Sequence, residues 1–444
     1  MKDPTAREIV LDRIAQQTAR FPELSLEPLD TGGLSERDAR LAHAIHDAVL
    51  RRWLTLTAAV QSGLSRPWES LDPHVQSALL IGAAQMLLLD RIPAHAAINE
   101  SVNWIKRHNP KAAGIVNAAL RRISELIGDV VELPVEEAAW ARGAIILTDG
   151  RTRLLRKPAL AEDPTTRLSQ QSSCPIALLQ SWRAEQSDAA MLQLALHCLV
   201  QPPIIVTGID DPEKYSSLTP HDQPGFFVFQ GDHDALRSLL ETNAGAGARV
   251  QDPASAAPVA ATASLSPELI IDACAGRGTK TRQLAALHPN ARIVATDIDP
   301  ARRAALREST ANLPAVRVVE PQVLQQFHSA ADLLVLDVPC SNTGVLARRV
   351  EAKYRFSDSS VQSLVATQRQ IIADTLALLA DGGRLLYSTC SLQGAENERQ
   401  IEWITGWHGL KTIDTAQRLP RGAPGDAVIR YSDSSFFAML IQCK

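Results

Sequence analysis

The chain has 444 residues, 45% of them hydrophobic and 21% charged, and its 45 Lys and Arg against 49 Asp and Glu give a net charge of −4. This length predicts two or three domains, and the apolar content excludes global disorder. The charge balance excludes a uniformly basic coat for nucleic acid, but not a local basic patch. Because no apolar run reaches the roughly 18 residues of a membrane span and residues 1–17 lack a signal-peptide core, we expect a cytoplasmic protein.

The spacing of cysteine and histidine excludes two further classes of protein. The six cysteines are Cys174, Cys198, Cys274, Cys340, Cys390 and Cys443. They form no Cys-x-x-Cys pair, and six in a chain of this length do not make a disulfide scaffold. The 11 histidines form neither a His-Glu-x-x-His motif nor a Cys/His cluster at zinc spacing, so we predict no metal site.

The first part of the chain, residues 5–128, is predicted to be entirely helical. Apolar residues recur at helical spacing over residues 41–54, which is typical of a helix with one buried face. Val75–Leu89 is almost continuously apolar but too short to span a bilayer, and this predicts the central helix of a bundle. Asn109-Pro110 predicts a turn between the last two helices.

The middle of the chain has a mixed texture. Residues 129–165 are predicted to be irregular and residues 166–200 helical. From Pro202, short runs of β-branched residues indicate a small α+β region. Ala244–Ser266 is rich in Ala, Pro, Ser and Gly, and this composition favours a linker or a surface loop.

From Glu268 onward, apolar strands alternate with helices. This alternation predicts an α/β fold with a doubly wound, mainly parallel sheet. A long helix is predicted to begin near Ser360 and to stop at Asp381-Gly382-Gly383, a typical signal for a helix end. Ligands of such sheets bind beyond the carboxyl ends of the strands, where the strand order reverses.

Two features at those strand ends suit a nucleotide-like cofactor. The turn Asp272–Thr281 has small residues that let the backbone approach a ligand, although glycine turns also serve helix packing. Asp297 ends the next strand about 20 residues past the glycine turn and suits a ribose diol, while Asp299 suits the N-cap of the following helix.

A third feature is a pair of cysteines just past two other apolar strands. Cys340 lies in DVPCSNTGVL and Cys390 in STCS. A lone cysteine is most often a small buried apolar residue. Two cysteines at strand ends, where α/β folds place their active sites, favour a thiolate nucleophile whose pKa is lowered by a neighbouring charge.

These motifs resemble a known family. The Asp-x-Pro-Cys-Ser and Thr-Cys-Ser pair, downstream of Asp-Ala-Cys-Ala, is similar to that of the RNA cytosine-C5 methyltransferases, which use S-adenosylmethionine. The segments LLLDRIPAHAAINESV and GIVNAALRRI resemble the NusB-like RNA-binding domain of the RsmB/Sun family of ribosomal RNA methyltransferases. The resemblance implies a NusB-like helical domain over residues 1–130, a linker over 131–165, a small α+β subdomain over 166–243 and a Rossmann-like methyltransferase domain over 244–444.

The resemblance also implies roles for individual residues. Cys390 would be the nucleophile that adds to C6 of the target cytosine, Asp337 would hydrogen-bond or protonate N3, and Cys340 would assist release of the methylated base. The implied cofactor-binding residues are Cys274, Ala275, Gly276, Arg277, Gly278, Thr279, Lys280, Asp297, Glu320 and Asp337.

The sequence departs from the family pattern in three places. The turn C-A-G-R-G-T-K has Arg277 and Thr279 where the family has Pro and Gly. Glu320-Pro321 stands nearest to the expected Gly-Asp pair after the third strand. The run PPIIVTGI lacks the arginine that usually follows the paired prolines.

Two segments are basic and coincide with RNA-facing parts of the resembled family. Their basic residues are Arg91, Lys106, Arg107, Lys111, Arg121 and Arg122 in the first segment, and Arg348, Arg349, Lys353 and Arg355 in the second. Ordinary solvated helix faces are the alternative to phosphate contact.

The expected reaction is methylation of a cytosine in small-subunit ribosomal RNA by a monomer that has no membrane partner. The alternatives are the same chemistry on transfer RNA, and an RNA-binding assembly protein with weakened catalysis.

Overall fold

The computed structural model describes residues 4–25, 27–89 and 92–442. Their contacts divide the chain into two compact units. The first unit contains the described residues of Met1–Gln201 together with Leu346–Phe356 and Ala423–Asp426. The second contains the described residues of Pro202–Val345, Ser357–Gly422 and Ala427–Lys444.

The first unit begins with helices, as predicted. They are α1 (Ala6–Thr18), α2 (Glu36–Arg51), α3 (Trp53–Gln61), α4 (Pro73–Leu87), α5 (Ala94–His108) and α6 (Ala113–Leu126). Helix α4 is buried along most of its length and contacts the other five, so it is the predicted central helix. It begins at Pro73 because the carboxylate of Asp72 accepts a hydrogen bond from the His74 N–H and caps the first turn. Among the described residues, no helix is long and apolar enough to cross a membrane.

A small sheet follows α6, where the sequence predicts irregular structure. It consists of β1 (Ile127–Val131), β2 (Ala144–Ile146) and β3 (Thr152–Leu155) in the order β1-β3-β2, with the short helix α7 (Val135–Ala138) after β1. The prediction was wrong because such short strands carry too few residues to show an alternating pattern. The predicted helices then follow as α8 (Pro164–Ser172), α9 (Ile176–Glu185) and α10 (Asp188–His197).

The second unit opens with the predicted α+β region. Its elements are β4 (Ile204–Thr207), β5 (Leu218–Pro220), β6 (Phe226–Phe229), α11 (His233–Thr242) and β7 (Arg249–Val250), and the antiparallel sheet has the order β5-β6-β4-β7. Part of the segment for which composition favours a loop forms α12 (Pro253–Ala260) instead. Ala254, Ala256 and Ala257 of this helix are buried, because the small residues that are common in loops also let a helix pack closely.

The large sheet of the second unit confirms the predicted doubly wound fold. Its strands are β8 (Leu269–Asp272), β9 (Arg292–Ala295), β10 (Val316–Val318), β11 (Ala331–Asp337), β12 (Leu379–Thr389), β13 (Leu410–Arg418) and β14 (Ser435–Gln442). The order is β10-β9-β8-β11-β12-β14-β13; the first five strands are parallel, and β14 is antiparallel to both of its neighbours, β12 and β13. The helices that follow α12 are α13 (Thr279–Leu287), α14 (Pro300–Ser309), α15 (Val350–Tyr354), α16 (Asp358–Thr375) and α17 (Glu398–His408). The strand order reverses between β8 and β11, which makes their carboxyl ends the expected ligand site.

Two details of this sheet differ from the sequence prediction. Helix α16 ends at Thr375, and β12 already begins at Leu379, so Asp381–Gly383 lie within a strand. Leu376–Leu378 form a 3-10 turn, and Leu379 then pairs with Ala331 of β11 instead of extending the helix. The edge strand β13 was not predicted, because most of its side chains are exposed and polar.

The segment Leu346–Phe356, which contains α15, belongs to the first unit and corrects part of the basic-segment prediction. Lys353 is fully buried, and its Nζ donates to the backbone oxygen of Arg51 at 2.8 Å. Burial lowers the pKa of Lys353 to about 8. Tyr354 is anchored beside it, with its hydroxyl donating to Leu50 O at 2.7 Å. Lys353 therefore cannot contact an RNA phosphate.

The packing of α4 against α6 can be tested with two glycines. A Cβ at Gly82 would lie 2.6 Å from both terminal methyl carbons of the buried Leu120, whereas a Cβ at Gly114 would meet no heavy atom within 4 Å. Gly82→Ala should lower the free energy of unfolding by about 1–3 kcal/mol through overpacking. Gly114→Ala should leave it unchanged or raise it by up to about 1 kcal/mol through better helix propensity. Urea unfolding of both variants measures this, and equal shifts would contradict the packing.

Candidate active site at the carboxyl ends of the parallel strands

The predicted site residues converge where β8, β11 and β12 end. Asp272, at the end of β8, pairs with Val335 of β11, and Asp337, at the end of β11, pairs with Ser388 of β12. Because the strands are parallel, the loops that follow them open on the same edge of the sheet. The glycine turn, Asp297 and both cysteine loops start from this edge.

The two glycines of the turn have different tasks. Gly276 and Gly278 both have positive φ, at +56° and +92°, where a side chain is strained. A Cβ at Gly278 would lie 2.7 Å from Ser309 Oγ, so this glycine allows α13 to pack on α14. A Cβ at Gly276 would meet nothing within 4 Å. The turn therefore leaves open space at Gly276, while helix packing accounts for Gly278.

Asp297 and Asp299 have the different surroundings that their predicted roles, ribose binding and helix capping, require. Asp297 is buried, and its Oδ2 accepts the Gly276 N–H at 3.0 Å, which ties the end of β9 to the glycine turn. Asp299 caps α14 by accepting from Ala301 N at 2.7 Å. Between them, Ile298 is 87% exposed and presents an apolar side chain next to the carboxylate.

Asp272 is a buried carboxyl group at the start of the turn. Its Oδ2 accepts from Thr281 Oγ1 at 2.7 Å, but its buried Oδ1 has no hydrogen-bond partner in the described structure. Burial, reinforced by the negative charge of Asp337, raises the pKa of Asp272 to about 7. The turn thus contains an unsatisfied acceptor that suits a ligand group bearing hydrogen-bond donors.

Asp337 is held from both sides. Its Oδ2 accepts from Lys280 Nζ at 2.8 Å, and its Oδ1 accepts from Ser388 Oγ at 2.8 Å. Burial alone would lower the pKa of Lys280, but the Asp337 carboxylate outweighs it and keeps that pKa above its usual value. The pair therefore supplies a half-buried ammonium–carboxylate contact next to the cysteines.

The two cysteines lie in contact. Cys340 Sγ and Cys390 Sγ are 3.3 Å apart, and both residues are half-buried. The Cys390 thiol also donates to Asn342 Oδ1 at 3.3 Å, while Asn342 Nδ2 donates to Cys340 O at 2.9 Å. The hydrogen bond with Cys390, together with burial and the charges of Cys390 and Glu396, raises the pKa of Cys340 well above its usual value. Cys340 is therefore the thiol of the pair that keeps its proton.

The remaining predicted cofactor residues differ in their surroundings. Ala275 is buried, whereas Arg277 and Thr279 are exposed. Burial, helped by the nearby carboxylates of Asp272, Asp337 and Asp297, raises the pKa of Cys274, so it remains a neutral thiol. The carboxylate of Glu320 follows β10 but is engaged by Arg303 and by Arg307, the latter at 2.8 Å.

Sequence reasoning missed several residues of this site. Asn342, Ser388 and Glu396 contact the cysteine loops or Asp337; the first two stand in the quoted cysteine motifs but were given no role, and Glu396 stands in neither motif. Glu396 lies in the polar stretch QGAENE, which gave no signal of burial, and it is fully buried.

Two arginines of the first basic segment, Arg107 and Arg122, form contacts within the first unit. Arg121 and Arg122 are exposed on α6, although Arg122 Nη1 also donates to Gly63 O at 2.6 Å. Arg107 forms an ion pair with Glu8. Arg91 lies outside the described residues.

Comparison with known proteins connects this geometry to a family. Residues 261–421 match the model of the 16S rRNA methyltransferase RsmB/F family, and residues 4–125 match that of the NusB family. The chain is 29% identical to ribosomal RNA small subunit methyltransferase B of Xanthomonas campestris, over 96% of this chain and 92% of that protein. It is 25% identical to the probable ribosomal RNA small subunit methyltransferase B of Bacillus subtilis, over 90% and 88%.

A solved structure has the same fold over the whole length. The crystal structure of PH0851 covers 99% of both chains with a TM-score of 0.71 at 17% identity. The doubly wound sheet and these matches define an S-adenosylmethionine-dependent RNA methyltransferase. More narrowly, residues 261–421 are similar to the RsmB/F family of 16S rRNA methyltransferases, and residues 4–125 are similar to the NusB family.

The buried carboxyl group of Asp272 predicts a specific pH dependence of stability. Its pKa is about 7 in the folded chain but roughly 3.9 when unfolded, so the folded state binds the proton more tightly. Its stabilising contribution is complete below about pH 4 and is lost as the pH rises through 7. When the pH is lowered from 8 to 5, the free energy of unfolding of the wild type should rise by about 1–3 kcal/mol more than that of Asp272→Asn, whose side chain stays neutral throughout.

Urea unfolding at the two pH values measures this difference. Asp381→Asn, which changes an exposed carboxyl group of the same sheet, should keep the wild-type pH dependence. Parallel pH dependences of the wild type and Asp272→Asn would contradict the assignment.

Proposed function

We propose that this protein transfers a methyl group from S-adenosylmethionine to C5 of a cytosine in small-subunit ribosomal RNA, through a covalent bond between Cys390 and C6 of the base. The observation that carries this proposal is the 3.3 Å contact between Cys340 Sγ and Cys390 Sγ beside Asp337. A single thiol at a strand end could be an ordinary buried residue, but two in contact at the switch point of the sheet suit a reaction that needs both a nucleophile and a base.

Cys390 is the better nucleophile of the pair. Cys340 keeps its proton because its pKa is raised, and its S–H can donate to Cys390 Sγ. The Lys280 ammonium lies close enough to Cys390 for the two charges to influence each other. We therefore assign Cys390 Sγ, which contacts Cys340, as the nucleophile that adds to C6 of the flipped-out base.

Addition to C6 requires a proton for the ring. As the Cys390–C6 bond forms, electron density moves to N3 and C5, and N3 becomes basic. Lys280 Nζ donates a proton into its 2.8 Å hydrogen bond with Asp337. We assign to Asp337 the hydrogen bond to N3, through which that proton reaches the ring.

Formation of the bond to C6 also changes Cys340. Two of the causes that raise its pKa are the hydrogen bond with Cys390 and the charge of Cys390. Both are lost once Cys390 Sγ is bonded to carbon, so Cys340, which is half-exposed, can then give up its proton to water. Its thiolate takes the proton from C5 of the methylated ring, the electrons of that C–H bond restore the double bond between C5 and C6, and Cys390 leaves as a thiolate. N3 then returns its proton to the Lys280–Asp337 pair.

The residues of the glycine turn fit the cofactor. The open space at Gly276 admits a ligand against the backbone, and the partnerless Asp272 Oδ1 suits the ammonium of its methionine part. The Asp297 carboxylate next to the exposed Ile298 suits the ribose hydroxyls and the adenine ring. When bound, S-adenosylmethionine supplies an electrophilic methyl group for C5.

The assignment of the substrate rests on the relatives and on charge. The curated relatives above carry names that specify small-subunit ribosomal RNA. Residues 1–130 supply a NusB-family domain whose exposed Arg121 and Arg122 suit phosphate contacts, and residues 244–444 supply the catalytic part.

Substitution of the two cysteines should have different effects on the reaction. Cys390→Ala should abolish methylation because no bond to C6 can form. Cys340→Ala should slow release, so that a covalent RNA–protein adduct persists as a shifted band on a denaturing gel. Cys198→Ala, which changes a buried cysteine of the first unit, should behave as the wild type in both assays.

Bisulfite mapping of ribosomal RNA from cells with and without the gene identifies the product. An adduct with Cys390→Ala and none with Cys340→Ala would reverse the two roles. Loss of a methylated cytosine from transfer RNA instead of small-subunit ribosomal RNA would refute the substrate assignment.

The cofactor site can be tested at Gly276. Gly276→Ala places a methyl group in the open space of the turn and should raise the Kd for S-adenosylmethionine at least tenfold in calorimetric titration. Gly382→Ala is the matched control, since that residue has a φ of +73° and nothing within 4 Å of its Cβ. It carries the same backbone strain, of about 1 kcal/mol, but lies away from the glycine turn. An unchanged Kd for Gly276→Ala would show that the cofactor does not bind at this turn.

A further inference from the structure

Glu396 connects the two loops that carry the catalytic cysteines. It is fully buried between β12 and α17. Its Oε2 accepts from Ser341 Oγ at 2.5 Å and from Ser391 Oγ at 2.5 Å, and its Oε1 accepts from Ser341 N at 2.9 Å. Ser341 follows Cys340 and Ser391 follows Cys390, so one carboxylate holds the residue next to each thiol.

A third element joins the same carboxylate. Gln368 of α16 donates from Nε2 to Glu396 Oε1 at 3.0 Å and also to Pro339 O at 3.0 Å. Pro339 directly precedes Cys340. The loop around Cys340 is thus held on both sides of the cysteine by groups that converge on Glu396.

Other contacts also hold the loops of Cys340 and Cys390 against each other. Gly344 N donates to Cys390 O at 2.9 Å, and a Cβ at Gly344 would lie 2.6 Å from that same oxygen. The hydroxyls of Thr343 and Ser391 are 3.2 Å apart. These contacts bring the loops together, whereas Glu396 sets the position of the residue next to each sulfur.

Burial of the Glu396 carboxylate carries a desolvation cost. In the described part of the chain, no basic side chain forms an ion pair with it, so hydrogen-bond donors alone compensate for the buried charge. Burial raises the pKa of Glu396 in spite of those donors. Short, charge-assisted hydrogen bonds of this kind restrict geometry more strongly than neutral ones.

We propose that Glu396 is a positioning residue for the methyl transfer, which holds Cys340 Sγ and Cys390 Sγ in contact by anchoring Ser341 and Ser391. The inference rests on the proposed function, because only a reaction that uses both thiols needs their separation to be controlled. A Cys340 that drifted from Cys390 could no longer reach the base bonded to it, so release would slow while binding stayed intact.

The test compares Glu396→Gln with Glu398→Gln in the full-length protein. Gln can place only one acceptor oxygen where the carboxylate has two. Either the two serine hydroxyls or the N–H donors of Ser341 and Gln368 therefore lose their acceptor. Glu398 is exposed in the first turn of α17 and serves as the matched control. Glu396→Gln should lower kcat at least tenfold, while KM for RNA and the Kd for S-adenosylmethionine stay within about threefold of the wild type.

A second measurement reports the separation of the thiols without the methylation reaction. Diazenedicarboxamide oxidises two neighbouring thiols to a disulfide and takes up their two hydrogen atoms. The rate at which the peptides containing Cys340 and Cys390 become linked is followed by mass spectrometry. Linking should be at least fivefold slower in Glu396→Gln and unchanged in Glu398→Gln.

The outcomes separate the inference from the proposed function. If the wild type methylates cytosine at C5 but Glu396→Gln shows wild-type kcat and linking rates, the positioning role is refuted alone. If the wild type forms no 5-methylcytosine, the proposed function fails, and the assignment of Glu396 to methyl transfer fails with it. Should Glu396→Gln not bind the cofactor, Ser341→Ala removes one of the 2.5 Å contacts instead, and an unchanged linking rate there also refutes the role.

Discussion

The active site depends on the register in which β11 pairs with β12. Asp337 lies opposite Ser388, so the two strands end level and the loops after them begin side by side. Cys340 follows Asp337 by three residues and Cys390 follows Ser388 by two, which brings the sulfurs into contact. A shift of one residue would turn one of the strands over and send Asp337 or Ser388 to the opposite face of the sheet.

Charge at this edge of the sheet is unevenly distributed. Asp272, Asp297 and Asp337 converge on a region where Lys280 forms an ion pair with Asp337. An excess of carboxyl groups suits a cofactor that carries a sulfonium and an ammonium, but it repels RNA phosphate. Under the proposed function, we therefore expect contacts with the RNA backbone on other surfaces, such as the exposed arginines of α6.

The sequence predicts the parts of the site that depend on chain order. Parallel strands place their carboxyl ends at one edge, so Asp337, Cys340 and Cys390 could be brought together without knowledge of the structure. It does not predict Glu396 or Lys353, because a charged residue in a polar stretch is normally solvated. Their burial is decided by donors and acceptors that come from distant segments, such as Gln368 for Glu396 and Arg51 for Lys353.

The segment Leu346–Phe356 has a consequence for how this protein can be divided. It directly follows the loop that carries Cys340, yet it packs within the first unit, where Lys353 and Tyr354 are buried. With the short segment Ala423–Asp426, it makes the chain pass from one unit to the other five times. The helical unit is therefore not a detachable module. Truncation near Gln201 would leave a buried lysine and tyrosine without their partners, and recombination of the two units between relatives would have to exchange several segments at once.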